Sequence, residues 1–190
     1  ENNPYPWLMK PVEHHVGDFS PIQKNYVIGD LHRDAAAGPY ELVKSVHVQC
    51  GWDESDPSGE TAWLQSVADD PQSNGMPHAI VAYANFLDPQ IGDLLERHAA
   101  QPNFRGVRQI LNHSLDSPHL NFLDRGDLMD DPQWRDGFGR LAKVNASFDL
   151  QVWPWQMEMA ARLVGDFPNI PTILNHTGMP LAHDAGSRKQ

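Results

Sequence analysis

Only one cysteine, Cys50, stands among the 190 residues. A lone thiol builds neither a disulfide framework nor a thiolate zinc cluster, and it suits a reducing compartment. Long apolar runs are missing too, since none approaches the ~20 residues that cross a bilayer. Positive charge is scarce: 14 Lys and Arg against 25 Asp and Glu leave a net charge of −11. No basic block interrupts that balance, and a phosphate backbone rewards clustered positive charge. Nucleic acid and membrane are therefore not expected partners. The start at Glu1-Asn2-Asn3-Pro4 has neither the basic nor the apolar region of a secretory signal. HExxH, GxSxG and Walker A patterns are also lacking, so nothing points to zincin, nucleophile-elbow or P-loop chemistry. The expectation is a soluble, cytoplasmic globular protein, long enough for one sizeable core.

What the chain does contain is regular punctuation. Sixteen prolines and 14 glycines are spread along its length, so no stretch reads as a linker. Between them β-rich runs alternate with helical ones. Strands are predicted over 43–50, 78–86, 104–111, 147–153 and 170–176, with Pro171 near the start of the last. Helical spacing follows at 59–70, from Asp88-Pro89 through His98, from Asp131-Pro132 to about Val144, and at 155–166. The segment 112–131 is long, polar and rich in Asp and His, as functional loops are. Strand and helix alternating every ~25–35 residues predict an α/β fold with a parallel sheet. A barrel and an open doubly wound sheet both fit that pattern.

In either architecture chemistry gathers at the carboxyl ends of the strands. Gln49, Asn85, Gln109, Asn112, His113, Gln151, Asn175 and His176 all fall there. Each amide alone reads equally as a brace for loop backbone, and it is the coincidence of position that marks them. His176, in NHTGMP, offers a metal ligand, a hydrogen-bond donor to a carbonyl oxygen, or a brace for the turn. Arg105 and Arg108 alternate across one strand, so they point to opposite faces. An interior arginine needs an anionic partner, structural or substrate, and Arg108 lies nearer the strand end. Cys50 reads as a small buried residue and Trp153-Pro154-Trp155 as packing. His14-His15 sits in a proline-flanked segment with diverging side chains. The pairs Asp69-Asp70 and Asp130-Asp131 read as helix caps.

Six segments in order carry a resemblance: YPWLM (5–9), VHVQ (46–49), ETAWL (60–64), FRGVRQIL (104–111), FDLQVWPWQM (148–157) and ILNHTGMP (173–180). Together they resemble the amidohydrolase-related TIM-barrel hydrolases, which include sugar lactonases and 2-pyrone-4,6-dicarboxylate hydrolase. The resemblance implies that residues 1–190 form a single partial (β/α)8 TIM barrel whose five strands are barrel strands two to six. The family's HxH is then expected upstream of Tyr5 and its catalytic aspartate beyond Gln190. The chain is expected to be either a fragment or a reduced relative of doubtful activity. The implied reaction is hydrolysis of a lactone or similar cyclic ester of a small acidic or sugar-derived molecule. His176 would be catalytic and a metal ligand, while Arg105, Arg108, Gln49, His113 and Gln151 would bind substrate. The resemblance allows one divalent ion, zinc or manganese, or none. A metal-dependent decarboxylase and a non-catalytic binding protein are the alternative readings, and a homo-oligomer is compatible with each.

Overall fold

The computed structural model describes residues 5–9 and 17–180; His14-His15 lies outside them. Five strands run β1 (Val46–Val48), β2 (Ala79–Tyr83), β3 (Phe104–Ile110), β4 (Ser147–Gln151) and β5 (Thr172–Leu174). All pair in parallel, in the order β1-β2-β3-β4-β5. This order settles what periodicity left open. A doubly wound sheet reverses its strand order at a switch point, whereas a barrel adds each strand beside the last. No reversal occurs, so the architecture is a curled, five-stranded half-barrel.

The β-branched and aromatic content of the five runs puts each strand where the sequence predicts it, trimmed by a few residues at the ends. Helices α2 (Gly59–Asp69), α3 (Ile91–Ala99), α4 (Pro132–Gly139) and α5 (Met157–Asp166) connect them. An unpredicted α1 (Ile28–Ala36) precedes β1. Asp131 caps α4 as expected, its Oδ1 accepting from the backbone N–H of Gln133 (2.8 Å) and Trp134 (3.1 Å). Asp88 instead closes a turn ahead of α3 by accepting from Gln90 N at 2.8 Å, and α3 begins only at Ile91. Among the described residues no helix is long and apolar enough to cross a membrane.

Alternation along the strands divides the sheet into two faces. Val107, Phe148, Leu150 and Val152 join Leu94 and Leu95 of α3, Trp134 and Phe138 of α4 and Leu163 of α5 in one core. Phe86, Trp134, Phe138 and Phe148 meet edge-on or stacked at its centre. Gly137 lets α4 approach, because a Cβ there would come within 2.1 Å of the Phe86 carbonyl oxygen. The other face carries Arg108 and Asp149, which are register partners.

His98 is wholly buried between α2 and β2. The carbonyl of Tyr83 can only accept, so Nε2 carries the proton it donates at 3.1 Å; Nδ1 then accepts from Thr61 Oγ1 at 2.9 Å. Burial, only partly offset by the Tyr83 bond, pushes its pKa down to about 4. A depressed folded-state value means that the neutral ring contributes stability above the unfolded pKa of about 6.5, and that this is lost as pH falls toward 4. Urea unfolding at pH 7 and pH 4 should show a loss on the order of 3 kcal/mol from this group. His98→Asn should flatten that dependence; an equally steep one in the variant would remove the assignment.

Candidate functional site

The half-barrel face opposite the core is built around one cation. Arg108 lies in β3 between Gly106 and Ile110, with its guanidinium half-buried. Nη1 donates to Gln151 Oε1 at 3.1 Å, and Nη2 donates to the backbone carbonyl of Gln49. Its Nε–H is buried and finds no partner. Among the described residues no carboxylate forms an ion pair with it. Its register partner Asp149 is 5% exposed and bonds instead to Asn175 Nδ2 at 2.9 Å. Burial pulls the guanidinium below the usual arginine range, while the nearby Cys50, Asp149 and Glu60 work against that pull.

Further polar groups extend this face. The amide of Asn112 lies 3.2 Å from Gln151 Nε2, and the buried Oδ1 of Asn175 accepts nothing. Three expected binding residues therefore converge, although not all through their side chains. Arg108 and Gln151 meet directly, but Gln49 offers its carbonyl, since its own Oε1 accepts from Gly51 N at 2.9 Å. The remaining two, and the catalytic candidate His176, do not bond to these three. Arg105 is exposed at the start of β3, on the opposite, helix-covered face of the sheet, with Nη1 donating to the carbonyls of Pro102 (2.8 Å) and Phe104 (2.6 Å). His113 turns its ring toward Gly126, where a Cβ would come within 2.5 Å of Nδ1. His176 follows β5 on the same rim as Asn175; it is exposed and holds a left-handed φ of 51°.

Of the strand-end amides, Gln109 proves to be a brace, accepting from Trp134 Nε1 at 2.8 Å. Gln156, in the turn before α5, is another: its Oε1 accepts from the N–H groups of His113 and Trp153, both at 3.1 Å. Trp153 packs as expected, wholly buried. Cys50 does not: it is exposed, because the turn that follows, with Gly51 at φ 75°, carries it out of the strand.

A second cluster lies beside that turn, and sequence reasoning missed it. Glu60, in the first turn of α2, is 2% exposed. Its Oε1 receives Tyr5 Oη (2.8 Å), His47 Nε2 (3.0 Å) and Cys50 N (3.3 Å). Burial opposes charge on His47, but the bonds to Cys50 and Glu60 outweigh it and lift the imidazole to about 9. Burial, then the Glu60 carboxylate, pushes the Tyr5 phenol up. His47 and Glu60 fell inside the segments VHVQ and ETAWL, yet a strand residue and a helix residue 13 positions apart form no recognised spacing.

The family model for amidohydrolases matches residues 19–189. The chain belongs to the amidohydrolase family. An uncharacterized protein of Sinorhizobium fredii, y4mH, is 45% identical over 193 residues, covering 100% of this chain and 63% of y4mH. The chain thus spans less than two thirds of that relative. An amidohydrolase from Burkholderia multivorans, solved with bound HEPES and separately with bound zinc, shares the fold with a TM-score of 0.64 and 24% identity. That match covers 93% of this chain and 53% of the other. Amidohydrolase 2 from Bifidobacterium longum subsp. infantis gives 0.63 at 16% identity, over 97% and 60% of the two chains.

Amidohydrolases as a family raise the question of a metal at the strand ends. The described groups on the Arg108 face do not fit one: a guanidinium and several amides repel or ignore a divalent cation, and Asp149 is engaged with Asn175. His176 contributes a single imidazole. Among the described residues the one grouping of three His, Cys, Asp or Glu ligand atoms is His47, Cys50 and Glu60.

Proposed function

We propose that the protein is a hydrolase of a lactone or similar cyclic ester whose substrate carries a carboxylate. The observation that carries this reading is Arg108, a half-buried guanidinium whose buried Nε–H has no partner and to which, among the described residues, no carboxylate is bonded. Charge held out of water without a counter-ion costs several kcal/mol, and an anionic substrate group supplies the missing partner in bidentate form. Gln151 and the Gln49 carbonyl hold the guanidinium in place for it. The Asn175 amide, with an unused buried oxygen, offers a further contact to a sugar-derived or hydroxylated ring.

In that reaction water adds to the ester carbonyl, the ring C–O bond breaks, and a hydroxy acid leaves. His176, beside the rim at the end of β5, donates to the carbonyl oxygen as negative charge develops there. The resemblance assigns the base that takes the proton from water to an aspartate outside this chain. Gln151 and Gln49 shape the pocket, whereas His113 and Arg105 lie away from it. No step is routed through a metal.

The test is an assay of the full-length protein against carboxylated and neutral lactones of matched ring size, followed by titration of the acid released. Carboxylated substrates should turn over and neutral ones should lag at least tenfold in kcat/KM. His176→Ala should cut turnover at least a hundredfold, because losing one oxyanion donor costs about 2.7–4 kcal/mol. Release of CO2 rather than hydroxy acid, or a near-normal His176→Ala enzyme, would overturn the reading.

A further inference from the structure

The cluster around Glu60 has a ligand chemistry that the lactone reading does not use. Imidazole nitrogen, thiol sulfur and carboxylate oxygen from His47, Cys50 and Glu60 all lie within 4.8 Å of one another. They come from three consecutive pieces of chain: β1, the turn after it, and the first turn of α2. Each piece is fixed independently. His47 is held by the ladder to β2, where it registers with Ile80. The Cys50 carbonyl accepts from Trp7 Nε1 at 2.5 Å, and the Trp7 ring lies against Gly51, where a Cβ would come within 3.0 Å of Cδ1. Glu60 is anchored by Tyr5 Oη.

From this we infer that His47, Cys50 and Glu60 form a zinc site of three protein ligands, leaving a fourth coordination position open. Mixed nitrogen, sulfur and oxygen donors select a borderline-soft divalent ion; magnesium and calcium prefer oxygen alone. Ligands ~2.0–2.3 Å from a tetrahedral zinc stand roughly 3.3–3.7 Å from each other. The His47–Glu60 contact of 3.0 Å needs only a slight opening to admit the ion in place of the proton the two share. The third ligand is the adjustable one. Cys50 is exposed; its sulfur donates to the Val48 carbonyl at 3.1 Å and already interacts with the His47 ring, so a small rotation about its side chain closes the set. Neutral imidazole, thiolate and carboxylate together carry two negative charges, which the ion offsets.

The experiment uses full-length protein stripped with a chelator and then titrated with cobalt(II), a spectroscopic substitute for zinc. One equivalent should produce a thiolate-to-cobalt charge-transfer absorption in the near ultraviolet, and one equivalent of zinc should abolish it. Cys50→Ser should lose that absorption and bind zinc at least a hundredfold more weakly in a competition with a chromophoric chelator. Because Cys50 is exposed, the variant should keep the wild-type circular dichroism and melting temperature, which separates lost ligation from lost folding. His47→Gln should weaken zinc by a similar factor. Metal uptake without a Cys50-dependent absorption, or zinc affinity unchanged in Cys50→Ser, would overturn the site. Neither outcome touches the lactone assay, since that reading rests on Arg108.

Discussion

Replacing Arg108 with glutamine in the full-length protein should lower kcat/KM for a carboxylated lactone by two to almost four powers of ten. The expectation follows from the cost of breaking a buried charge pair from one side, about 3–5 kcal/mol, at about 1.36 kcal/mol per tenfold in rate. Neutral lactones supply the control. They present no carboxylate, so wild type and variant should process them within a few-fold of each other. An equal collapse on both substrates would instead make Arg108 a brace for β4 and the Gln49 turn. Stability gives an independent readout. The folded protein keeps the Arg108 Nε–H buried without a partner, so Arg108→Met should leave the melting temperature unchanged or raise it. A residue kept at a cost to stability is what a binding role predicts.

Trp134→Ala should be the most destabilising single change in the helix layer, at about 3–5 kcal/mol. Trp134 is wholly buried. It stacks on Phe138 with centroids 5.2 Å apart and meets Phe86 edge-on at 5.2 Å. Its indole N–H also satisfies Gln109 Oε1 at 2.8 Å, so truncation leaves both a cavity and a poorly satisfied buried acceptor. Trp134→Phe separates these two contributions. It retains most of the aromatic contact and loses the donor, and should cost about 1–3 kcal/mol. Urea unfolding of both variants measures the difference; a Trp134→Ala loss below about 1 kcal/mol would mean that the core collapses around the gap.

Much of the sheet is legible in the sequence because its strands are short β-branched runs bounded by Gly, Pro and Asp. Pro171 falls just before β5 and lends its carbonyl to Phe148 N at 2.8 Å, as a proline at a strand start should. Helix α1 escaped because it buries no residue fully, so its apolar spacing is short and broken by charge. Barrel against open sheet was not legible in local periodicity, which is the same for both; the six-segment resemblance implied the barrel, and the pairing order agrees with it.

The candidate site divides along the same line. Period-2 alternation alone places Arg105 and Arg108 on opposite faces, and the structure does so. The same rule sets Asp149 on the face of Gln151, a signal present in SFDLQ but easily passed over, because a buried aspartate in a strand looks like an edge residue. His47 with Glu60, and Gln49 acting through its carbonyl, were beyond reach. Those contacts depend on how a crossover folds back and on which way a turn rotates a peptide, and neither is written in residue types.

The sequential strand order has a consequence for how the molecule is made. Among the described residues every strand pairs only with its neighbours in sequence, and register partners such as His47 and Ile80 or Val107 and Phe148 are separated by no more than about 40 residues. Loop-closure entropy rises only slowly with such distances. Each strand leaving the ribosome therefore meets a template already in place, and the half-barrel can be laid down progressively during synthesis, N-terminal strand first.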